Sequence, residues 1–149
     1  MKKILVAIDL LEATNRIIDY TVKIASKFNS KVCLVHSQPL NTYVGATEPE
    51  YYEQVSIEML EAHKKMVKTH MKKIKSIFNS KNINCESTIM EGPTVKNIRE
   101  EMKKFDADLV ILGSHKHGKF YHFIFGTVHD SLINKTDTPI LVIPPLDEK

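Results

Sequence analysis

Five short apolar runs recur along the chain, each bounded by polar or turn-forming residues. A continuous apolar run of four to eight residues is typical of a strand buried on both faces of a sheet. The pattern therefore predicts five strands, separated by stretches of a different period. The predicted strands are Ile4–Ile8, Val32–Val35, 83–90, 108–112 and 139–143.

Between these runs, apolar residues recur every three or four positions, the spacing that places them on one face of an α-helix. Prolines and a glycine between residues 38 and 50 predict a loop before the longest helix. On that helix, Met59, Met66 and Met71 are expected to fill the core. The helical stripes consist of Ile17, Thr21, Ile24 and Phe28; of Leu60, Val67, Met71, Ile74 and Phe78; and of Val95, Ile98, Met102 and Phe105; and a fourth pattern opens at Gly126 and Thr127.

Strict alternation of strands and helices predicts an α/β fold. We expect a single doubly wound domain over residues 1–149, with a five-stranded parallel sheet covered by helices on both faces. Ligands of such sheets bind at the carboxyl ends of the strands. Asp9 follows the first predicted strand and Gly113 follows the fourth. If those strands are neighbours, both residues face the same crevice.

Composition narrows the class of protein. A chain of 149 residues with 42% hydrophobic and 26% charged residues favours a folded domain with a real core. The net charge of +3 is too mild to imply a polyanion partner. The run Ile4–Ile8 is too short for a signal segment, and no stretch reaches the length of a membrane span. We therefore expect a cytoplasmic protein without a membrane partner.

The cysteine and lysine patterns argue against a disulfide-bonded or redox protein and against a nucleic-acid-binding protein. Cys33 and Cys85 lie inside predicted strands without a CxxC partner, so reduced core thiols are expected. The long helix is rich in lysine but lacks interleaved aromatic residues, which favours a solvated face over a nucleic-acid surface. Its lysines are Lys64, Lys65, Lys68, Lys72, Lys73 and Lys75.

The segment after the fourth strand has the chemistry of an anion site. The strand runs directly into Gly113 and Ser114, then into a loop with Gly118, and a helix opens at Gly126 and Thr127. Glycine allows backbone N–H groups to approach phosphate oxygens, and a helix N-terminus presents unpaired donors. The segment therefore predicts a phosphate-binding site.

The same residues resemble the signature of the universal stress protein family: glycine, two residues, glycine, nine residues, then glycine with Ser or Thr. Gly113 matches the first glycine, and Gly126 with Thr127 match the last pair; Asp9 resembles the family's nucleotide-side aspartate. Gly92–Pro93 and Ala107–Asp108 also fit, and the resemblance covers nearly the whole chain. It implies the strand order 3-2-1-4-5, dimerisation, and membership of a family divided into ATP- or AMP-binding and non-binding branches.

One signature position differs. The second glycine is replaced by Lys116, and Gly118 follows two residues later. Lysine is disfavoured at position 116 if a positive φ is needed there. If it is not needed, the ammonium group could approach the phosphates directly. Both interpretations remain open from the sequence.

The resemblance implies a division of roles within an adenine-nucleotide site for ATP or AMP, with or without Mg²⁺. Asp9 would hold the ribose, although it could instead cap the following loop or helix. Backbone near His36 and Ser37 would meet adenine. The phosphates would be surrounded by Gly113, Ser114, His115, Lys116, Gly118, Gly126 and Thr127.

Four clustered histidines invite a metal hypothesis, but their spacing matches no zinc pattern and no cysteine set lies nearby, so no metal site is expected. We interpret them as loop and rim residues. They are His115, His117, His122 and His129.

The expected function is regulatory binding rather than catalysis, because no nucleophile is paired with a base at an interpretable spacing. Alternatives are a stress protein that binds no nucleotide and acts through dimerisation and partner contacts, or a weak ATPase. The fifth strand, Ile140–Ile143, is apolar and would lie at a sheet edge, which needs covering. By resemblance, two copies should pair there across a twofold axis.

Overall fold

The computed structural model describes residues 1–11, 13–38, 57–114, 132 and 136–145. The predicted loop beyond residue 38 and the helix predicted to open at Gly126 lie outside these ranges. Inside them, strands and helices alternate as the sequence predicts. The elements are β1 Lys3–Ala7, α1 Thr14–Phe28, β2 Lys31–Gln38, α2 Ile57–Ser80, β3 Cys85–Glu91, α3 Thr94–Phe105, β4 Leu109–Gly113 and β5 Ile140–Ile143.

The strands form one parallel sheet in the order β3-β2-β1-β4-β5, which confirms the predicted topology. The central strand β1 pairs with β2 on one side and with β4 on the other. Ala7, near the carboxyl end of β1, lies level with Val35 and with Leu112. The three strands therefore end at one edge, and the residues that follow them share a crevice.

Side chains alternate between two apolar layers, since successive residues of a strand point to opposite faces. Ile4 and Val6 pack beneath α1 and α2, whereas Leu5 packs beneath α3. Helices therefore cover both faces of the sheet, as predicted. Fully buried members of the first layer include Ile17, Leu34, Met71, Phe78 and Ile111; those of the second include Val35, Val110 and Leu132.

Strand β2 is longer than its apolar run predicts. The prediction ended at Val35, but pairing with β3 continues through His36, Ser37 and Gln38. The apolar criterion stopped where the side chains become polar, while the backbone ladder does not depend on them. This extension carries two predicted site residues to the functional edge of the sheet.

The expectation that three methionines of α2 fill the core is correct for Met71 and wrong for the other two. Met71 is 2% exposed, but Met59 and Met66 are 64% and 48% exposed. The reason is helical geometry: steps of 100° per residue place positions 59 and 66 well off the face that carries Met71. Among the helices that the structure describes, none is long and apolar enough to cross a membrane.

The two cysteines are buried free thiols, as predicted. Cys33 lies in the layer beneath α3 and Cys85 in the layer beneath α2, so the sheet separates them. Burial raises the pKa of each thiol to about 12. Neither side chain is therefore a thiolate at neutral pH.

Candidate functional site

The candidate site is the carboxyl edge shared by β2, β1 and β4. The chain leaves β1 for β2 on one side, and β4 occupies the other side, so the strand order reverses at β1. Crevices at such reversals are the usual ligand sites of open α/β sheets. The strand ends and the residues just beyond them bring together Asp9, His36, Ser37, Gly113 and Ser114.

Asp9 shapes the loop that follows β1. Its Oδ1 accepts a hydrogen bond from the Leu11 N–H at 2.8 Å, which confirms the loop-capping interpretation. The ribose role of Asp9 remains a prediction. Leu10, between Asp9 and Leu11, has a φ of 65°, a left-handed conformation that is uncommon for a bulky side chain. Such conformations concentrate at functional sites, and nothing in the sequence pattern signalled this one.

His36 is buried, with 8% of its surface exposed. Its Nδ1 lies 2.8 Å from the carbonyl oxygen of Ile8. A carbonyl can only accept, so Nδ1 carries the proton and Nε2 is an acceptor in the neutral ring. Burial lowers the pKa of His36 and the His63 side chain adds to this, while the Ile8 hydrogen bond and the Asp9 carboxylate oppose it. The ring is therefore neutral at physiological pH.

The lowered pKa predicts a specific pH dependence of stability. Between the lowered pKa of the folded protein and about pH 6.5, the unfolded chain binds a proton at this histidine that the folded chain does not, so the free energy of unfolding falls as the pH drops through this window. The slope is at most about 1.4 kcal/mol per pH unit. His36→Asn, whose amide can still donate to Ile8, should lose this slope. Urea unfolding at pH 7.5 and 5.5 measures it.

The exposed histidine of α2 provides the control for that measurement. His70→Asn should retain the pH dependence of the unsubstituted protein, because residue 70 is exposed. Equal slopes for the unsubstituted protein and His36→Asn would contradict the assignment of the pH effect to His36.

Ser37 belongs to a partly buried polar network that joins three elements. Asn97, in the first turns of α3 and 6% exposed, donates through Nδ2 to Ser37 Oγ at 2.9 Å. The same nitrogen donates to the carbonyl of Glu91, the last residue of β3, at 3.2 Å. The network fixes the start of α3 against the carboxyl ends of β2 and β3.

Packing alone requires a glycine at position 113. A Cβ at this position would lie 2.7 Å from Ile17 Cδ1 and 3.3 Å from Ala13 Cβ. The absence of a side chain lets the first turn of α1 approach β4. Ser114 is 5% exposed, and its N–H donates to the Ile143 carbonyl at 3.0 Å. Gly113 and Ser114 are thus packed at the carboxyl end of β4, beside the crevice.

The amino end of α1 lies beside Gly113 and is rich in donors. Its N-cap, Ala13, supplies no side-chain acceptor, and its first turn contains no acidic residue. Thr14 Oγ1 is sealed from solvent and has no partner in the part of the chain that the structure describes. An anion or a hydroxyl acceptor near this helix end would be favoured electrostatically.

Several predicted and unpredicted residues complete the account of the site. Sequence reasoning missed Asn97, whose only signal was an amide next to the apolar stripe of α3, and also missed Gln38 and His63. Gln38 Nε2 lies 3.3 Å from His63 Nε2 and links β2 to α2. The predicted phosphate-side residues His115, Lys116, Gly118, Gly126 and Thr127 lie outside the described residues. Among the described ones, no group of three acidic, histidine or cysteine side chains is placed to hold a metal ion.

The sequence matches the model of the universal stress protein family over residues 1–144. The chain therefore belongs to the universal stress protein family. It is 23% identical over 148 residues to the universal stress protein Sll1388 of Synechocystis, covering 95% of this chain and 96% of that protein. It is 27% identical over 105 residues to the stress response protein NhaX of Bacillus subtilis, covering 70% of this chain and 57% of NhaX.

Solved structures share this fold. The protein MJ0577 superposes with a TM-score of 0.77 at 20% identity, over 99% of this chain and 98% of its own. A universal stress protein from Archaeoglobus fulgidus in complex with dAMP gives a TM-score of 0.63 at 19% identity, over 96% and 98%. The crystal structure of a universal stress protein in complex with cAMP gives a TM-score of 0.68 at 14% identity, over 96% of both chains. At these identities the likeness establishes the fold.

Proposed function

We propose that this protein binds an adenine nucleotide, ATP or AMP, across the carboxyl ends of β2, β1 and β4 and acts as a regulatory stress-response protein. The observation that supports this most strongly is the convergence of Asp9, Ser37 and Gly113 at the reversal of strand order. Two related folds are complexes with adenine nucleotides, dAMP and cAMP. The ligand would extend from β2 to β4, a span that no single loop provides.

Each part of the nucleotide has a chemically suited neighbour in this proposal. The Asp9 carboxylate would accept hydrogen bonds from ribose hydroxyls, and the base would lie at the end of β2 near His36 and Ser37. The phosphates would lie beyond Gly113, where the amino end of α1 supplies a favourable field. The signature residues 114–118, 126 and 127 would complete the phosphate site, with Mg²⁺ as the natural counter-ion of ATP.

Oligomerisation and location form part of the same proposal. Two copies would pair through the edge strand β5, and the protein would act in the cytoplasm. Buried free thiols are consistent with a reducing compartment. The alternative is a stress protein of the non-binding branch, and Lys116 at the second signature glycine is the feature that favours it.

Nucleotide binding is testable with the purified protein. Mass spectrometry of small molecules released on denaturation should detect AMP, ADP or ATP. After their removal, millimolar ATP or AMP should raise the melting temperature, because a ligand at a hundredfold excess over its Kd adds about 2.7 kcal/mol of stability. No co-purified nucleotide and no shift with ATP, ADP or AMP would overturn the proposal in favour of the non-binding branch.

Two variants locate the ligand. Asp9→Asn keeps an Oδ1 acceptor for the Leu11 N–H, so the loop should persist while nucleotide affinity falls. Asp19→Asn, the same change at an exposed position of α1, is the control and should leave affinity unchanged. Gly126→Val should abolish the shift by blocking the approach of backbone to phosphate, with the apo fold retained. Full affinity in both site variants would place the ligand elsewhere.

A further inference from the structure

The polar pair formed by Ser37 and Asn97 has hydrogen-bonding capacity that the fold leaves unused. Both hydrogens of Asn97 Nδ2 are engaged, one by Ser37 Oγ and one by the Glu91 carbonyl. That carbonyl can only accept, so the amide orientation is fixed and Asn97 Oδ1 is an acceptor. Ser37 Oγ accepts from the amide, which leaves its own proton available for donation.

Neither of these two groups is used elsewhere in the described part of the chain. Asn97 Oδ1 and the Ser37 hydroxyl proton have no further partner there. Asn97 is only 6% exposed, so its amide is held inside the fold rather than on the open surface. The pair therefore holds an unused acceptor beside an unused donor at the carboxyl ends of β2 and β3.

We propose that Ser37 and Asn97 recognise the edge of the purine base through hydrogen bonds and select a 6-amino purine over a 6-oxo purine. Adenine presents its N6 amino donor beside a ring-nitrogen acceptor. Asn97 Oδ1 would accept from N6, and the Ser37 hydroxyl would donate to the adjacent ring nitrogen. Hypoxanthine presents the reverse order, an oxygen acceptor at position 6 beside an N1–H donor.

The position of the pair fits this role. Ser37 is the penultimate residue of β2, and it lies on the same face as Val35, which packs beneath α3. The proposed ribose contact, Asp9, follows the adjacent strand β1. A nucleotide anchored through its ribose and phosphates cannot turn its base over freely, so the order of donor and acceptor is read. This recognition of the base rests on the proposed function, because it requires a nucleotide in this crevice.

Calorimetric titration with AMP, purine riboside 5′-monophosphate and inosine 5′-monophosphate tests the pair. The riboside analogue lacks the amino group but keeps the ring nitrogens. The unsubstituted protein should bind AMP about fivefold more tightly than the analogue, the typical contribution of one hydrogen bond. It should bind the inosine nucleotide more than about tenfold more weakly than AMP, because two polar groups would be mismatched.

The two variants should fail in different ways, which a merely structural role would not produce. Asn97→Leu should bind AMP and the riboside analogue equally, because only the contact to N6 is lost. Ser37→Ala should weaken both ligands by about fivefold and keep their ratio, since both offer the ring nitrogen. Ser37→Ala also keeps the experiment informative if Asn97→Leu folds poorly. Ser87→Ala, the same change on the opposite face of β3, is the control.

Two outcomes separate this inference from the function on which it rests. The recognition role of the pair is overturned, and the nucleotide site stands, if the unsubstituted protein binds AMP but binds the three nucleotides equally. The same holds if Asn97→Leu keeps the preference for AMP over the riboside analogue and Ser37→Ala binds both as tightly as the unsubstituted protein. If the unsubstituted protein binds none of the three nucleotides and no ATP, the proposed function is overturned, and base recognition by Ser37 and Asn97 is overturned with it.

Discussion

A Val142→Pro variant should be monomeric at concentrations where the unsubstituted chain is a dimer. The carbonyls of Pro139 and Ile143 accept hydrogen bonds from Val110 and Ser114 of the β4 side. Backbone groups alternate sides along a strand, so the N–H of Val142 points away from β4, toward the free edge. Proline at this position removes a donor that a second copy of β5 would use.

The fold should tolerate this change, because proline is accepted on edge strands whose N–H faces outward. Val142→Thr keeps the N–H and the branched side chain and is the matched control; it should remain dimeric. Light scattering at micromolar concentration measures the outcome. A monomeric unsubstituted protein, or a dimer that survives Val142→Pro, would show that β5 does not join two copies.

Phe78→Ala should produce the largest loss of stability of any single change considered. Phe78, in the last turns of α2, is fully buried between that helix and the sheet. Truncating a buried phenylalanine costs about 3–5 kcal/mol, because apolar contacts are lost and a cavity remains. A domain typically has about 5–15 kcal/mol in total. Urea unfolding monitored by circular dichroism gives the difference in free energy of unfolding.

The chain offers a matched control for this truncation. Phe28, at the end of α1, is 44% exposed, and Phe28→Ala should cost less than about 1 kcal/mol. Equal losses in the two variants would mean that the packing of α2 on the sheet is not what stabilises the protein.

The topology was accessible from sequence because each level of the pattern agrees. Continuous apolar runs such as Ile4–Ile8 require a strand buried on both faces, and the period of α1 and α3 requires helices that cover the sheet. The strand order followed from the family resemblance, and the structure confirms it. The bounds of β2 were missed because its last residues are polar although its backbone ladder with β3 continues.

The fine structure of the site was not accessible, because it depends on contacts between residues far apart in the chain. Asn97 lies 60 residues from its partner Ser37, and no local spacing links them. Leu10 adopts a left-handed conformation that the sequence does not predict, because residue 10 is a leucine and not a glycine, asparagine or aspartate. Met59 and Met66 were misassigned for a different reason: they were judged by hydrophobicity, although their helical spacing already places them off the face that carries Met71.

The separation of Cys33 and Cys85 by the sheet has a consequence for how the protein experiences oxidants. Neither thiol can reach the other, and each is shielded by a layer of helix. A reagent can reach them only when the sheet opens. The rate of their modification would therefore be limited by unfolding of the domain rather than by the concentration of oxidant. The rate at which the two thiols are modified would therefore report how often the folded domain opens.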